Sequence, residues 1–241
     1  MKRRHKETLK ILVIVPAYNE SEIIADTVKN IREKAPETDI LVVNDGSVDD
    51  TLQILQNCGV NHLNLRTNLG IGGAVQSGYV YARENNYDYA VQIDGDGQHD
   101  PAFIMPMIRW MEKEKIDVGI GSRFIEGEGF QSSSMRRFGI RFLSRLIRMT
   151  CGADIKDVTS GFRIVNKRFI DLFAKDYSDD YPEPDAILTV AFNHGKIAEY
   201  PVVMRERTTG ESSISPQKSV YYMTKVSLSI LMYRLLRRRE G

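Results

Sequence analysis

Short apolar runs alternate with segments of helical period along the first half of the chain. Leu9–Val15, Ile40–Val43, Val60–Leu65, Tyr89–Ile93 and Val118–Ile120 are brief and rich in β-branched residues, which predicts strands. Residues 21–34, 50–57, 72–85 and 102–114 carry apolar positions at helical spacing and predict helices. Alternation at this spacing predicts an α/β fold, a doubly wound, mainly parallel sheet. Ligands bind beyond the carboxyl ends of the strands in such sheets. Polar clusters fall at those ends: Pro16-Ala17-Tyr18-Asn19-Glu20, Asn44-Asp45-Gly46-Ser47 and Asp94-Gly95-Asp96-Gly97-Gln98-His99-Asp100. After about residue 122 the pattern changes to longer helices rich in arginine. No Pro/Gly/Ser linker intervenes, so the expectation is one domain, with a first half over about 9–125, a second over about 126–215 and a basic amphipathic tail over 216–241.

Composition narrows the class. The 241 residues are 42% apolar and 27% charged, enough for a sizeable core and unlike a disordered chain. Cys58 and Cys151 lie far apart, which predicts reduced thiols and no zinc site. The net charge of +1 hides a segregation: residues 132–149 hold five arginines and no acid, and residues 218–241 hold six basic groups and one acid. A polyanionic surface is therefore an expected partner. Ile11–Val15 is too short for a signal-peptide core, and Val226–Tyr233 covers about a third of a membrane span. Peripheral attachment to the cytoplasmic face of a membrane is the expectation.

The details of the arginine-rich segment sharpen this. Arg137, Arg141, Arg145 and Arg148 recur at helical spacing, and Phe138, Phe142, Leu146 and Met149 follow the same rhythm one position on. Adjacent arginine and apolar stripes describe a helix lying at an anionic bilayer surface. In the alternative reading, the apolar stripe is core and the arginines are solvated or clamp nucleotide phosphates. The tail is a further candidate surface for the bilayer, a small integral membrane partner or a second subunit. Nucleic acid is not expected, because no recognisable binding module accompanies the basic residues.

The acidic cluster carries the chemistry. Gly95 lets the chain turn so that Asp94 and Asp96 reach one hard cation, Mg2+ or Mn2+, whose other positions diphosphate oxygens would fill. Gln98 and His99 add a ligand or orient one. A solvated turn is the bland alternative. Asp45 ends a strand where its carboxylate meets a nucleobase or ribose, while Ser47 or Asp49 caps the following helix. Asn68-Leu69-Gly70-Ile71-Gly72-Gly73 imitates a dinucleotide fingerprint but lacks its third glycine. Gly72 is read either as close backbone approach to a nucleotide or as a packing turn.

Together, Val15–Glu20, Val43–Ser47, Asn68-Leu69-Gly70, Asp94–Gln98 and Gly121-Ser122-Arg123-Phe124 resemble the family 2 inverting glycosyltransferases of GT-A fold, in the right order over about residues 9–125. Asp157-Val158-Thr159-Ser160-Gly161-Phe162-Arg163 and Arg207-Thr208-Thr209-Gly210-Glu211-Ser212 look like the polyprenyl- and dolichyl-phosphate sugar synthases. The resemblance implies a nucleotide-sugar donor half and an acceptor half. It implies Pro16, Tyr18, Glu20 and Asp45 at the nucleoside and Asp94, Asp96 and Gln98 at the metal; Gly72 and Gly95 are further candidates for binding the nucleotide sugar. It also implies that Arg123, Arg137 and Arg207 face phosphates. Ser213 replaces a lysine frequent in relatives, and Arg141 stands where some have serine.

The nucleophile decides whether a base is needed. A sugar hydroxyl requires a carboxylate, for which Asp157 and Asp185 are candidates. A phosphate monoester, with a second pKa near ~6, is already anionic and needs only cations such as Arg137, Arg141, Arg163 and Arg207 to hold it. The expected reaction is metal-dependent transfer of a hexose or N-acetylhexosamine, from a UDP-sugar by preference, to a polyprenyl phosphate. The rivals are a glycosyltransferase with a saccharide or lipid-linked hydroxyl acceptor, a non-catalytic nucleotide-sugar-binding subunit and a sugar-nucleotide pyrophosphorylase.

Overall fold

A computed structural model describes residues 9–126, 134–205 and 223–232. The elements run β1 (Ile11–Ala17), α1 (Ile24–Lys34), β2 (Asp39–Asn44), α2 (Thr51–Asn57), β3 (Asn61–Asn64), α3 (Gly70–Glu84) and β4 (Tyr89–Gln92). A short 3-10 turn, Pro101–Phe103, leads into α4 (Ile104–Glu114). Then follow β5 (Val118–Ser122), α5 (Ser134–Cys151), β6 (Arg163–Asn166), α6 (Lys167–Phe173), α7 (Pro182–Phe192) and β7 (Ile197–Pro201). The strands form one seven-stranded sheet in the order β3-β2-β1-β4-β6-β5-β7.

Strands β1 to β4 are parallel, as the alternation predicts. β1 lies between β2 and β4, so the strand order reverses beside it and opens a crevice at the carboxyl ends. Both faces are covered. Val13, Val15, Val42 and Val91 pack toward α1 and α4, while Leu12, Ile14, Leu41 and Ala90 pack toward α3 and α6. That two-sided burial is why the strands read as continuous apolar runs rather than alternating ones.

The second half departs from the expected run of long helices. β6 inserts antiparallel between β4 and β5, and β7 adds parallel to β5. β6 has only Ile164 and Val165 as an apolar signal, and β7 is half-buried along its length, so neither produces a clear period. α5 is present as expected. Its Ile140, Leu143 and Ile147 form a third core cluster with Ile187 and Leu188 of α7 and with Val226 and Ile230 of a helix over 223–232. No helix among the described residues is long and apolar enough to cross a membrane.

Gly72 resolves to a packing role, which corrects its assignment to the nucleotide. Added at this buried position, a Cβ would overlap the Ser178 carbonyl oxygen and lie 2.5 Å from that of Asp179. The start of α3 is thus pressed against the chain that leads into α7. Gly72→Ala is expected to lower stability by roughly 1–3 kcal/mol through overpacking, measured by denaturant unfolding.

Candidate active site

Three strand ends meet at the crevice and are laced together. Beyond β1, Asn19 N–H donates to Ser47 Oγ (3.0 Å) and Glu20 N–H to Thr51 Oγ1 (3.0 Å), while Val48 N–H donates to Asn19 Oδ1 (2.9 Å). Asp49 accepts from Ser21 N–H and Thr51 N–H. Burial opposes its ionisation, but hydrogen bonds from Thr51 and Ser21 win and hold its carboxyl at about 2. Asp45 is buried, and its Oδ1 accepts from Leu69 N–H at 2.7 Å, so it anchors the loop after β3. Pro16 is inside β1, whereas Tyr18 is 47% exposed at the rim.

The paired aspartates stand where β4 ends. Thr27 Oγ1 donates to the Gly95 carbonyl (3.0 Å), a Cβ on Gly95 would lie 3.0 Å from the Pro16 carbonyl oxygen, and Gly97 turns the chain with a φ of +73°. Asp96 Oδ1 accepts from Gln98 N–H at 3.1 Å. Gln98 is tied to the strand end beyond β7: Arg205 N–H donates to its carbonyl (2.9 Å) and its Nε2 donates to the Arg205 carbonyl (3.3 Å). Asp100 is not part of this donor set, since Lys34 (2.8 Å) and Arg205 (3.2 Å) hold it in ion pairs.

Asp94 and Asp96 are the two carboxylates that the sequence offers to a cation. Burial raises the pKa of Asp94, and the neighbouring Asp96 charge adds to the rise. No group of three or more His, Cys, Asp or Glu side chains that could hold a metal occurs among the described residues. Two carboxylates and no more suit Mg2+ or Mn2+ completed by substrate phosphates, and do not suit an all-protein cage.

Two expected site residues are locked elsewhere. Asp157 is fully buried and receives Arg123 Nε at 2.8 Å, Arg123 Nη2 at 2.7 Å and Arg123 N–H at 3.2 Å. It is a structural counter-ion, which corrects its role as a candidate base. Two of the guanidinium nitrogens of Arg123 are thereby taken, along with its main-chain N–H, although its charge still reaches Asp94. Arg163 is 1% exposed, with Nε on the Ser160 carbonyl (2.9 Å) and Nη2 on that of Val158 (3.3 Å). It cannot meet an acceptor at the surface, a second correction. Asp185 sits within 3.3 Å of Ser229 Oγ, beside a cavity of about 240 Å3 that it shares with Tyr177 and Thr189. Arg207 and the tail beyond residue 232 lie outside the described residues.

Arg137 and Arg141 come together as expected, with company. They line a cavity of about 550 Å3 with Phe124, Ser144, Arg145 and Lys156. In the adjoining apolar stripe of α5, Phe138 (70%), Met149 (68%) and Phe142 are exposed, whereas Leu146 is half-buried against the core.

Glu183 was not singled out by its sequence. It occupies the first turn of α7 between Pro182 and Pro184, where an acid is ordinary. Burial pushes its carboxyl to about 7, the Asp94 charge contributes in the same direction, and the nearby Arg163 charge opposes both. The legible clue is a pair of acids, Glu183 and Asp185, at the head of a mostly apolar helix.

A mostly parallel sheet with a crevice at its reversal point and an acid pair just beyond β4 match the fold of the GT-A glycosyltransferases. The model for Glycosyl transferase family 2 matches residues 12–173, and the chain belongs to that family. It is 31% identical to undecaprenyl-phosphate mannosyltransferase of Micrococcus luteus over 216 residues, covering 86% of this chain and 88% of the relative. It is 29% identical to polyprenol monophosphomannose synthase of Mycolicibacterium smegmatis, covering 92% and 87%. Among solved structures it resembles glucosyl-3-phosphoglycerate synthase from Mycobacterium tuberculosis in complex with Mn2+ and UDP-glucose, with a TM-score of 0.67 at 17% identity over 94% of this chain and 79% of that one.

Two measurements test these assignments. Asp157→Asn leaves the buried Arg123 charge uncompensated and is expected to lower unfolding free energy by about 3–5 kcal/mol. Glu183, with its pKa raised from 4.5 to about 7, binds more protons folded than unfolded across that window. Its stabilising contribution is complete below about 4.5 and fades as pH rises through about 7. The wild-type chain is therefore expected to lose roughly 1–3 kcal/mol relative to Glu183→Gln between those limits, read from denaturant midpoints across pH.

Proposed function

We propose that this glycosyltransferase moves a hexose or N-acetylhexosamine from a nucleotide diphosphate sugar, a UDP-sugar by preference, onto a polyprenyl phosphate at the cytoplasmic face of a membrane. The named polyprenyl-phosphate relatives support the acceptor class, and the UDP-glucose complex of the structural neighbour supports the donor. In this reading Tyr18, Glu20 and Asp45 surround the nucleoside, with Pro16 shaping the crevice. Asp94 and Asp96, with Gln98, hold Mg2+ or Mn2+ against the diphosphate. When bound, the ion supplies Lewis-acid neutralisation of the departing nucleoside diphosphate.

One observation carries the acceptor assignment: the cavity lined by Arg137, Arg141, Arg145 and Lys156, beside exposed Phe138 and Phe142 on the same helix. A phosphate monoester fits the cations, and an isoprenoid chain leaving it meets the aromatic stripe. The dianion needs no base, which agrees with a chain whose Asp157 is spent on Arg123. A hydroxyl acceptor would need one, for which Asp185, beside its own cavity, is the remaining candidate. Exposed Leu228, Leu231 and Met232 of the 223–232 helix extend the apolar surface proposed to rest on the bilayer. Each basic residue near anionic lipid contributes about 1 kcal/mol to that contact.

The test is a panel of UDP- and GDP-sugars with undecaprenyl phosphate, dolichyl phosphate or an oligosaccharide, with Mg2+ or Mn2+, reading lipid-linked product. Formation of a polyprenyl-phosphate sugar is expected, and it should vanish in Asp96→Ala. Replacing Arg141 and Arg145 by Ala is expected to raise the acceptor KM about 10- to 100-fold while donor binding persists, the scale of a lost charge-assisted hydrogen bond. Turnover that ignores lipid phosphates and requires the oligosaccharide overturns the assignment.

A further inference from the structure

We propose that His99 is a positioning residue, which fixes the backbone of the paired aspartates through its ring nitrogen and so presets them for the cation. This rests on the metal reading of Asp94 and Asp96. His99 is 4% exposed, and Asp94 N–H points at its Nδ1 at 3.2 Å. A backbone N–H can only donate, so Nδ1 presents its lone pair and the ring proton sits on Nε2. Nε2 lies 3.8 Å from Asp94 Oδ2, on the same carboxylate that is to hold the ion. One imidazole therefore faces both the main chain and the side chain of Asp94.

The ring is itself held. It packs against Phe162 with centroids 5.4 Å apart, and Phe162 is fully buried at the start of the turn into β6. The neighbouring Gly161 also lies against the carboxylate: a Cβ there would lie 2.5 Å from Asp94 Oδ1 and 2.6 Å from Oδ2. Ser160 Oγ donates to the Gly121 carbonyl (2.7 Å), and Arg163 grips the Val158 and Ser160 carbonyls. The segment from Asp157 to Arg163, which its sequence suggests as an acceptor element, is thus a strut. It brings the backbone of Gly161 against Asp94 and, through Phe162, packs the ring of His99 that faces the same residue. Groups that orient a metal-binding carboxylate govern affinity for the ion.

The experiment titrates the full chain with Mn2+ in the presence of UDP, following free Mn2+ by electron paramagnetic resonance. His99→Phe keeps the ring against Phe162 and removes the acceptor, and is expected to raise the Mn2+ dissociation constant about 10- to 100-fold. His99→Asn, which returns an acceptor near the Nδ1 position, is expected to recover most of that affinity. Gly161→Ala, which pushes a methyl group onto the Asp94 carboxylate, is expected to weaken Mn2+ binding as well. In turnover, His99→Phe should raise KM for Mn2+ while kcat at saturating Mn2+ stays within about twofold of wild type. Equal Mn2+ affinity in His99→Phe and His99→Asn overturns the positioning role, as does wild-type affinity in His99→Phe when Asp96→Ala has lost the ion. Undiminished Mn2+ binding in Asp96→Ala overturns instead the metal reading beneath it.

Discussion

The buried ion pair between Arg123 and Asp157 is the constraint on which the site depends. It joins the end of β5 to the segment preceding β6, and both charges lie away from water. Main-chain N–H groups of Lys156 and Asp157 donate to Glu199 of β7, so a third strand is drawn into the same knot. A desolvated pair of this kind favours one geometry, because separating the partners strands a charge in the interior. That geometry brings Gly161 against Asp94 and puts Phe162 on His99. The acidic loop is therefore shaped by residues more than 60 positions later in the chain.

Much of the first half of the chain is legible in the sequence because its strands are buried on both faces. Ile11–Ala17 and Asp39–Asn44 are apolar almost throughout, and their polar successors fall at the crevice without further information. β6 is hidden by its brevity and by the charge of its first residue, Arg163, which would suggest a surface position. The roles of Asp157, Arg163 and Gly72 are hidden for a different reason. An acid, a base and a glycine in polar-looking segments present the same letters whether they meet a ligand or one another. Only the fold brings Arg123 to Asp157 and the Ser178 carbonyl to Gly72.

α5 shows how one helix serves two environments. Its buried stripe of Ile140, Leu143 and Ile147 fixes it to α7, its arginines border the cavity beside Phe124, and its aromatic stripe is left to solvent. The periodicity reading offered core and interface as alternatives for the apolar positions. Within that stripe Leu146 packs partly against the core and the others are exposed to solvent. Phe138, Phe142 and Met149 are outward, and the core positions are the isoleucines and leucine between them.

The antiparallel insertion of β6 has a consequence for how the chain comes into being. Strands β1 to β4 are contiguous in sequence, but β4 and β5 are joined in space only through a strand that follows α5. A growing polypeptide emerging from the ribosome thus exposes one raw edge on β4, and another on β5, until residues 163–166 have been synthesised. Closing that gap is a long-range event and so a slow one. The acidic loop gains its clamp at the same moment as the sheet gains continuity, which ties the birth of catalytic competence to completion of the fold.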